Sequence, residues 1–297
     1  MLFPLYSMNT SSKAILALLG TVVLWSFMVV LAKDAVRTLP PLTLTFLRFL
    51  FAAIPFLPFF IYQKPWKKKH FKELVAVSVL SYFNITFFII GIQYTSAPAS
   101  QLIYALIPVF IIIIAKLFQG QNFPLVKTIG VVLGLIGISF IFYNSKVNSE
   151  QPIFGSLIGN LIILGATSCW LCYILFSKKL AAKFSPTEIG STSIIISFII
   201  SIFPFLWEIS SIGYPSISFG LYSSAFYLGF FGTFLTYILY QFAIKYSSSL
   251  TVSLATYIQP IFVTILSIMF LGDKLNSGFI IGSLFILLGV FLTSILS

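Results

Sequence analysis

Only six acidic residues occur among 297, and none lies inside a long apolar run. Asp34, Glu73, Glu150, Glu188, Glu208 and Asp273 all fall at the ends of apolar segments or between them. A carboxylate at mid-membrane is expensive to bury and marks a proton relay or ion site where it occurs. Its absence argues against a buried-carboxylate proton pump and against an aspartyl intramembrane protease, which needs two such groups. A strongly cationic substrate is disfavoured too, because no fixed negative charge replaces the hydration it would lose.

Histidine and cysteine are almost as scarce. The single histidine, His70, sits in a lysine-rich loop and reads as a solvated residue with no catalytic partner. Cys169 and Cys172 form a Cys-x-x-Cys beside Trp170, Leu171 and Tyr173, inside an apolar run. There they read as small buried residues rather than a redox pair, which needs an exposed thiolate. No glycine-rich phosphate loop, zinc-ligand spacing or nucleophile with a general base is present, so neither an enzyme nor a cofactor is expected: no catalytic residue, no metal.

What remains is apolar. Hydrophobic residues make up 59% of the chain and charged residues 8%, far below the roughly one quarter usual in soluble domains. Runs near 14–34, 42–62, 73–92, 97–118, 124–143, 157–180, 187–207, 220–243, 248–271 and 277–296 match the ~20 residues a membrane-crossing helix needs. The predicted fold is an all-α membrane protein of ten transmembrane helices. The net charge of +11 is not a nucleic-acid signature, because the lysines are unevenly placed. With a cytoplasmic N-terminus, inside loops hold Lys64, Lys67, Lys68, Lys69, Lys72, Lys116, Lys127, Lys178, Lys179, Lys183 and Lys245. Outside loops hold only Lys33, Arg37, Lys146 and Lys274, so both termini are expected in the cytoplasm. The expected partners are the lipid bilayer and a small molecule, not nucleic acid. Met1 to Ser12 lacks a basic start and a clear small-residue cleavage site, so the first span is expected to stay.

The chain repeats itself. Tyr94 and Tyr246, Pro108 and Pro260, Gly120 and Gly272, Gly130 and Gly282, and Gly137 and Gly289 all stand 152 positions apart. A second register of 145 joins Trp25 to Trp170, Lys33 to Lys178 and Pro41 to Pro186. The expected units are 14–143 and 155–296, joined by the polar stretch Asn144 to Pro152. Five spans in each would insert them in opposite senses, as inverted repeats that alternate access around a midplane site.

The repeat also marks a candidate site. Pro108 and Pro260 lie near mid-span, and each deprives the carbonyl four residues earlier, Tyr104 or Thr256, of its helical partner. Helix breaks are therefore expected at both, facing a common cavity. On the same faces lie Gln101 and Tyr104, then Ser253, Thr256, Tyr257 and Gln259. The third and eighth spans add Asn84, Thr236, Tyr237 and Gln241. Trp25 and Trp170 are too deep for an interfacial belt and either line the cavity or pack. Taken singly, these groups could be interhelical hydrogen bonds worth about 0.6 kcal/mol each; as a set they suggest a polar and aromatic substrate site. Arg48 either snorkels outward, the favoured reading, or projects inward to meet a substrate carboxylate or a helix C-terminus. Gly130, Gly134, Gly137, Gly282 and Gly289 form stripes that pack the halves together or make a homodimer contact.

These features resemble the EamA-type branch of the drug/metabolite transporter superfamily. The resemblance rests on Leu47-Arg48-Phe49, Ile107-Pro108-Val109-Phe110, Gln119-Gly120-Gln121 and the stretch Gly130 to Gly137. In the second half it rests on Gln259-Pro260-Ile261-Phe262, Phe270-Leu271-Gly272-Asp273 and Gly282 to Val290. The family usually has an acidic residue after the closing glycine; Asp273 fits and Gln121 departs. The resemblance implies transport of small metabolites, commonly amino acids or related compounds and often outward, across the bacterial cytoplasmic membrane. It places the substrate between the two units, among spans 1, 3, 4, 6, 8 and 9. Two rivals are a non-transporting membrane scaffold or regulatory subunit, and a membrane-embedded transferase, which lacks a metal-binding acidic pair.

Overall fold

Every element in the computed structural model is helical, over the described residues 10–120, 124–147, 154–215, 218–247, 249–274 and 277–294. The helices are α1 (Thr10–Ala35), α2 (Pro41–Gln63), α3 (Phe71–Tyr94), α4 (Ala97–Tyr104), α5 (Ile107–Gln119) and α6 (Leu125–Val147). The second half holds α7 (Leu157–Leu180), α8 (Pro186–Ile212), α9 (Phe219–Gly229), α10 (Thr236–Tyr246), α11 (Ser249–Leu271) and α12 (Ser277–Ser294). A π-helical segment, Phe230–Leu235, joins α9 to α10 without a break.

The expectation of ten membrane-crossing helices in two inverted five-helix repeats is corrected here. Among the described residues, seven helical segments are long and apolar enough to cross a bilayer: Ser12–Ala35, Pro41–Lys67, Phe71–Tyr94, Ala97–Ile114, Leu157–Leu180, Pro186–Ile212 and Phe219–Tyr246. The other apolar stretches, Leu125–Gly137, Gln259–Leu271 and Ser277–Gly289, are shorter. At 1.5 Å per residue such a stretch reaches about 20 Å, against a hydrocarbon core of about 30 Å. These stretches fall within α6, α11 and α12, which the sequence reading counted as full spans. Among the described residues the architecture is an all-α multi-pass bundle with seven helical segments both long and apolar enough to span.

The lipid-facing character is visible from outside. Phe203, Leu117, Leu125 and Met269 are largely exposed, which would be costly in water but not against acyl chains. Trp66, in the turn after α2, and Trp207, near the end of α8, are also exposed, as interfacial tryptophans are.

Within the bundle α3 packs on α7, α2 on α8, α6 on α12, and α1 on α10 and α11. The glycine stripes explain one of these pairs. A Cβ on Gly289 would stand 2.5 Å from the Gly130 oxygen, and one on Gly137 would stand 2.8 Å from the Ile286 nitrogen. So α6 and α12 meet backbone to backbone inside one chain. Gly120 and Gly272 adopt left-handed φ of 62° and 72°, the conformation that stops α5 and α11 and that glycine takes at least cost.

Polar ties fasten the helix ends. Lys33 donates to the Ile92 and Gln93 carbonyls at 2.9 and 3.2 Å, at the end of α3. Its repeat partner Lys178 donates to Ile244, Lys245 and Ser247, at the end of α10. Both place an ammonium on unpaired carbonyls at the negative end of a helix dipole. α2 begins with Pro41 and has no side-chain cap of its own; the Glu208 carboxylate of α8 accepts from the Leu42 and Thr43 amides instead. At the opposite end of that helix pair, Ser185 and Glu188 form a capping box, and Glu188 also binds Lys68 at 2.6 Å.

Candidate functional site

The two sequence-matched prolines behave differently. The helix is interrupted at Ala105–Leu106, just before Pro108, separating α4 from α5. α11 runs through Pro260 without interruption, contrary to the expected break there. One missing hydrogen bond amid a helix of 23 residues is absorbed by its neighbours. Near Pro108 the break also carries a tightened 3.2 Å bond from the Leu106 amide to the Ile103 carbonyl.

Beside that break lies a buried cavity, lined by Trp25, Met28 and Val29 of α1, Arg48 of α2, and Asn84, Ile85 and Phe88 of α3. Gln101 and Tyr104 of α4, Trp170 of α7, Tyr237 of α10 and Gln259 of α11 complete the wall. Empty space between these side chains, mouth included, is about 490 Å³, of which only about 50 Å³ admits the centre of a water molecule. The cavity is therefore narrow in this conformation and holds water or one small group without rearrangement.

Seven of the residues singled out from the sequence meet at this wall: Trp25, Asn84, Gln101, Tyr104, Trp170, Tyr237 and Gln259. Thr236 lies behind it, where its hydroxyl accepts from Trp25 Nε1 at 3.0 Å. Gln241 is elsewhere, donating to the Tyr173 hydroxyl at 2.7 Å and the Ser177 hydroxyl at 3.5 Å. The side chains of Ser253, Thr256 and Tyr257, and all of Gln121, lie outside the described residues.

Several of the polar wall groups are held by a neighbour. Asn84 donates to the Tyr104 hydroxyl at 2.6 Å and the Ala166 carbonyl at 2.9 Å, tying α3 to α4 and α7. Tyr237 shares a 2.6 Å hydrogen bond with Ser81 of α3. Trp25 and Trp170 meet edge to face with centroids 5.6 Å apart, and Tyr240 touches both rings. They therefore pack and line the cavity at once. Edge-to-face contacts add about 0.5–1.5 kcal/mol beyond burial, which makes this wall stiff.

The π-helical segment shapes the opposite side. Its Gly232 carbonyl accepts from Trp25 Nε1 at 3.1 Å and from the Thr236 hydroxyl at 2.9 Å. It also presents the Thr233 hydroxyl, which accepts from Arg48 Nε at 2.8 Å. Gly229 and Gly232 allow this approach: a Cβ on Gly229 would be 2.7 Å from the Arg48 carbonyl oxygen, and one on Gly232 would be 2.7 Å from Met28 Cγ. Such π segments recur at functional sites.

Arg48 corrects the snorkelling expectation. The residue is 3% exposed, lines the cavity and is bound to Thr233 inside the bundle rather than reaching the interface. Thr233 offers a partner closer than the headgroup region, so the side chain turns inward. The sequence signal for this role was present, as an arginine inside an apolar run, but two directions were open to it. Met28, Val29, Ile85 and Phe88 were not foreseen, because apolar wall residues look like any others in an apolar helix.

The EamA-like transporter family model matches this chain twice, over residues 12–143 and 157–295. The chain belongs to the EamA-like transporter family. It is thus a membrane transporter of the drug/metabolite transporter superfamily. It is 24% identical over 291 residues to the uncharacterized transporter YoaV of Bacillus subtilis (strain 168), covering 95% of this chain and 97% of that one. An uncharacterized transporter of Archaeoglobus fulgidus is 25% identical over 275 residues, covering 92% and 95%. The inner membrane transporter YhbE of Escherichia coli (strain K12) is 25% identical over 182 residues, 59% of this chain and 57% of its own. One crystal structure superposes with a TM-score of 0.67 over 96% of this chain and 97% of that one, at 16% identity. That likeness speaks for the fold alone.

Proposed function

We propose that this EamA-like transporter carries a small neutral or zwitterionic metabolite, an amino acid or related compound, by alternating access through the cavity beside Pro108. The observation that carries the proposal is the wall of aromatic and amide side chains drawn from both halves of the chain. Such a mixture of apolar surface and a few fixed polar groups is what small-molecule sites use. The proposed substrate-binding set is Trp25, Asn84, Gln101, Tyr104, Trp170, Tyr237 and Gln259, with Thr236 behind Trp25. Ser253, Thr256 and Tyr257 belong to the proposal from the sequence alone.

The proposed units are 14–143 and 155–296, and the two family matches support that division. The proposed location is the bacterial cytoplasmic membrane with both termini inside, and export is the proposed direction. The likeness to YhbE, an uncharacterized inner membrane transporter, supports the first part. The second gains support from the Lys68–Glu188 pair, which puts the basic loops after α2 and α7 on one face. For the cavity to open there, that pair has to separate. Because no acidic residue lines the cavity among the described residues, transport is proposed to be uncoupled from protons.

Flux of labelled amino acids into proteoliposomes tests this reading. Uptake driven by the solute gradient alone supports it, and strict dependence on a pH gradient with net proton movement rejects the uncoupled form. Replacing Tyr104 by Ala should lower flux more than it lowers thermal stability.

A further inference from the structure

We infer that Arg48 is the anion-binding residue of the cavity and that the transported solute carries a carboxylate; the inference rests on the carrier reading above and narrows it.

The Arg48 side chain is buried, lines the cavity and is only partly satisfied. Its Nε is fixed by the Thr233 hydroxyl at 2.8 Å, whereas its Nη1 is buried with no hydrogen-bond partner among the described residues. A buried cation left short of partners is strongly unfavourable, so such a group persists where something else completes it. The protein does not do so. None of the described cavity-lining residues is acidic, and Glu208 and Glu188 are engaged at the two ends of α8. The missing partner is therefore an anion that comes and goes, which in a carrier is the solute.

Geometry favours a carboxylate. With Nε anchored, the end-on edge of the fork, Nη1 beside Nη2, is the one left to engage a ligand. That edge matches the two oxygens of a carboxylate in parallel hydrogen bonds. The side chain is also held in place before the solute arrives, because Thr233 sits on the π segment that follows directly on Gly229, where α9 presses against α2. The rest of the wall suits an organic remainder: Trp25, Trp170, Phe88 and Met28 are apolar, and Asn84, Gln101 and Gln259 can meet a second polar group. One arginine without a neighbouring cation balances one negative charge, so a monocarboxylate or an amino-acid zwitterion fits better than a phosphate dianion. An uncharged solute without an acid group would leave Nη1 as it is.

The test compares each carboxylate with its own amide, which has the same shape but no charge at that end. Full-length protein in lipid nanodiscs is titrated with benzoate, phenylacetate, L-leucine and L-phenylalanine, and with benzamide, phenylacetamide, L-leucinamide and L-phenylalaninamide. Phenyl phosphate is included, and Trp25 and Trp170 fluorescence reports occupancy. At least one carboxylate is expected to bind tenfold or more tightly than its amide in the wild type. Arg48→Lys should keep a reduced preference, because the charge remains and the fork is lost; Arg48→Gln should abolish it. Binding of no carboxylate in the set, equal binding of acids and amides, or tighter binding of phenyl phosphate would each overturn the assignment. So would an unchanged preference in folded Arg48→Gln. If Arg48→Gln does not fold, the wild-type comparison and Arg48→Lys still decide. Flux of the same compounds in proteoliposomes separates the two claims. Carboxylate binding without flux keeps Arg48 and rejects the carrier, whereas flux of amides and acids alike keeps the carrier and rejects Arg48.

Discussion

Replacing Glu208 tests whether a carboxylate on one helix can serve as the missing cap of another. Glu208 is 8% exposed, and its Oε1 accepts from the Leu42 amide at 3.1 Å. Its Oε2 accepts from the Thr43 amide at 2.6 Å and the Thr43 hydroxyl at 2.8 Å. These are the second and third residues of α2, whose first residue, Pro41, has no amide hydrogen to satisfy. Glu208→Ala would strand two buried backbone donors at about 1–3 kcal/mol each. It would also remove an anion from the positive end of the helix dipole, worth about 0.3–1 kcal/mol. Water entering the vacated space would return part of this, leaving a net cost of about 3 kcal/mol. Glu208→Gln keeps one acceptor oxygen and turns a second donor towards the amides, so roughly half the loss is expected. At about 2 °C per kcal/mol for a chain of this size, the apparent melting temperature should fall by about 6 °C and 3 °C respectively. Thermal aggregation in one detergent at one scan rate measures both, the comparison being kinetic as well as thermodynamic. Alanine within 1 °C of wild type, or glutamine as damaging as alanine, would refute the capping argument.

Other substitutions reach the remaining parts of the account. Gly229→Ala would drive a Cβ to 2.5 Å from Phe51 Cβ and 2.7 Å from the Arg48 carbonyl oxygen, so a loss of about 1–3 kcal/mol is expected; Gly220→Ala, with nothing nearer than 3.9 Å, should melt like wild type. Asn84→Leu removes the donor to the Tyr104 hydroxyl and the Ala166 carbonyl, and proteoliposome flux should drop at least tenfold, the equivalent of about 1.4 kcal/mol. Lys68→Ala breaks the pair with Glu188; since Lys68 is about half exposed, the shift should be near 1 kcal/mol, read as roughly fivefold faster thiol labelling at engineered cysteines on that face.

Much of the site was legible because polar side chains are rare in lipid and therefore conspicuous. Asn84, Gln101, Tyr104, Tyr237 and Gln259 stood out against an apolar background, and the structure gathers them at one wall. Gln241 stood out equally but bonds Tyr173, since polarity alone does not tell a cavity face from an interhelical one. The repeat in the sequence has a physical counterpart in Lys33 and Lys178, which occupy the ends of α3 and α10 in the same way. The glycine stripes were legible as a close contact, but their partner was not, because small residues permit an approach without naming what approaches. The sequence reading counted α6, α11 and α12 as full spans, whereas their described apolar stretches are shorter than the other seven. Pro260 shows the limit of arguing from one residue: the same proline that accompanies a break at 108 sits inside a continuous helix in α11.

The central claim is that a small solute passes through the cavity walled by Trp25, Asn84, Tyr104 and Trp170. Counterflow measures this directly: proteoliposomes loaded with an unlabelled amino acid are placed in a trace of the labelled form. The account predicts transient accumulation of label for at least one amino acid, lost in Asn84→Leu and Trp170→Ala while Gly220→Ala retains it. No accumulation above protein-free vesicles across the twenty amino acids, or undiminished counterflow in both cavity variants, would contradict it.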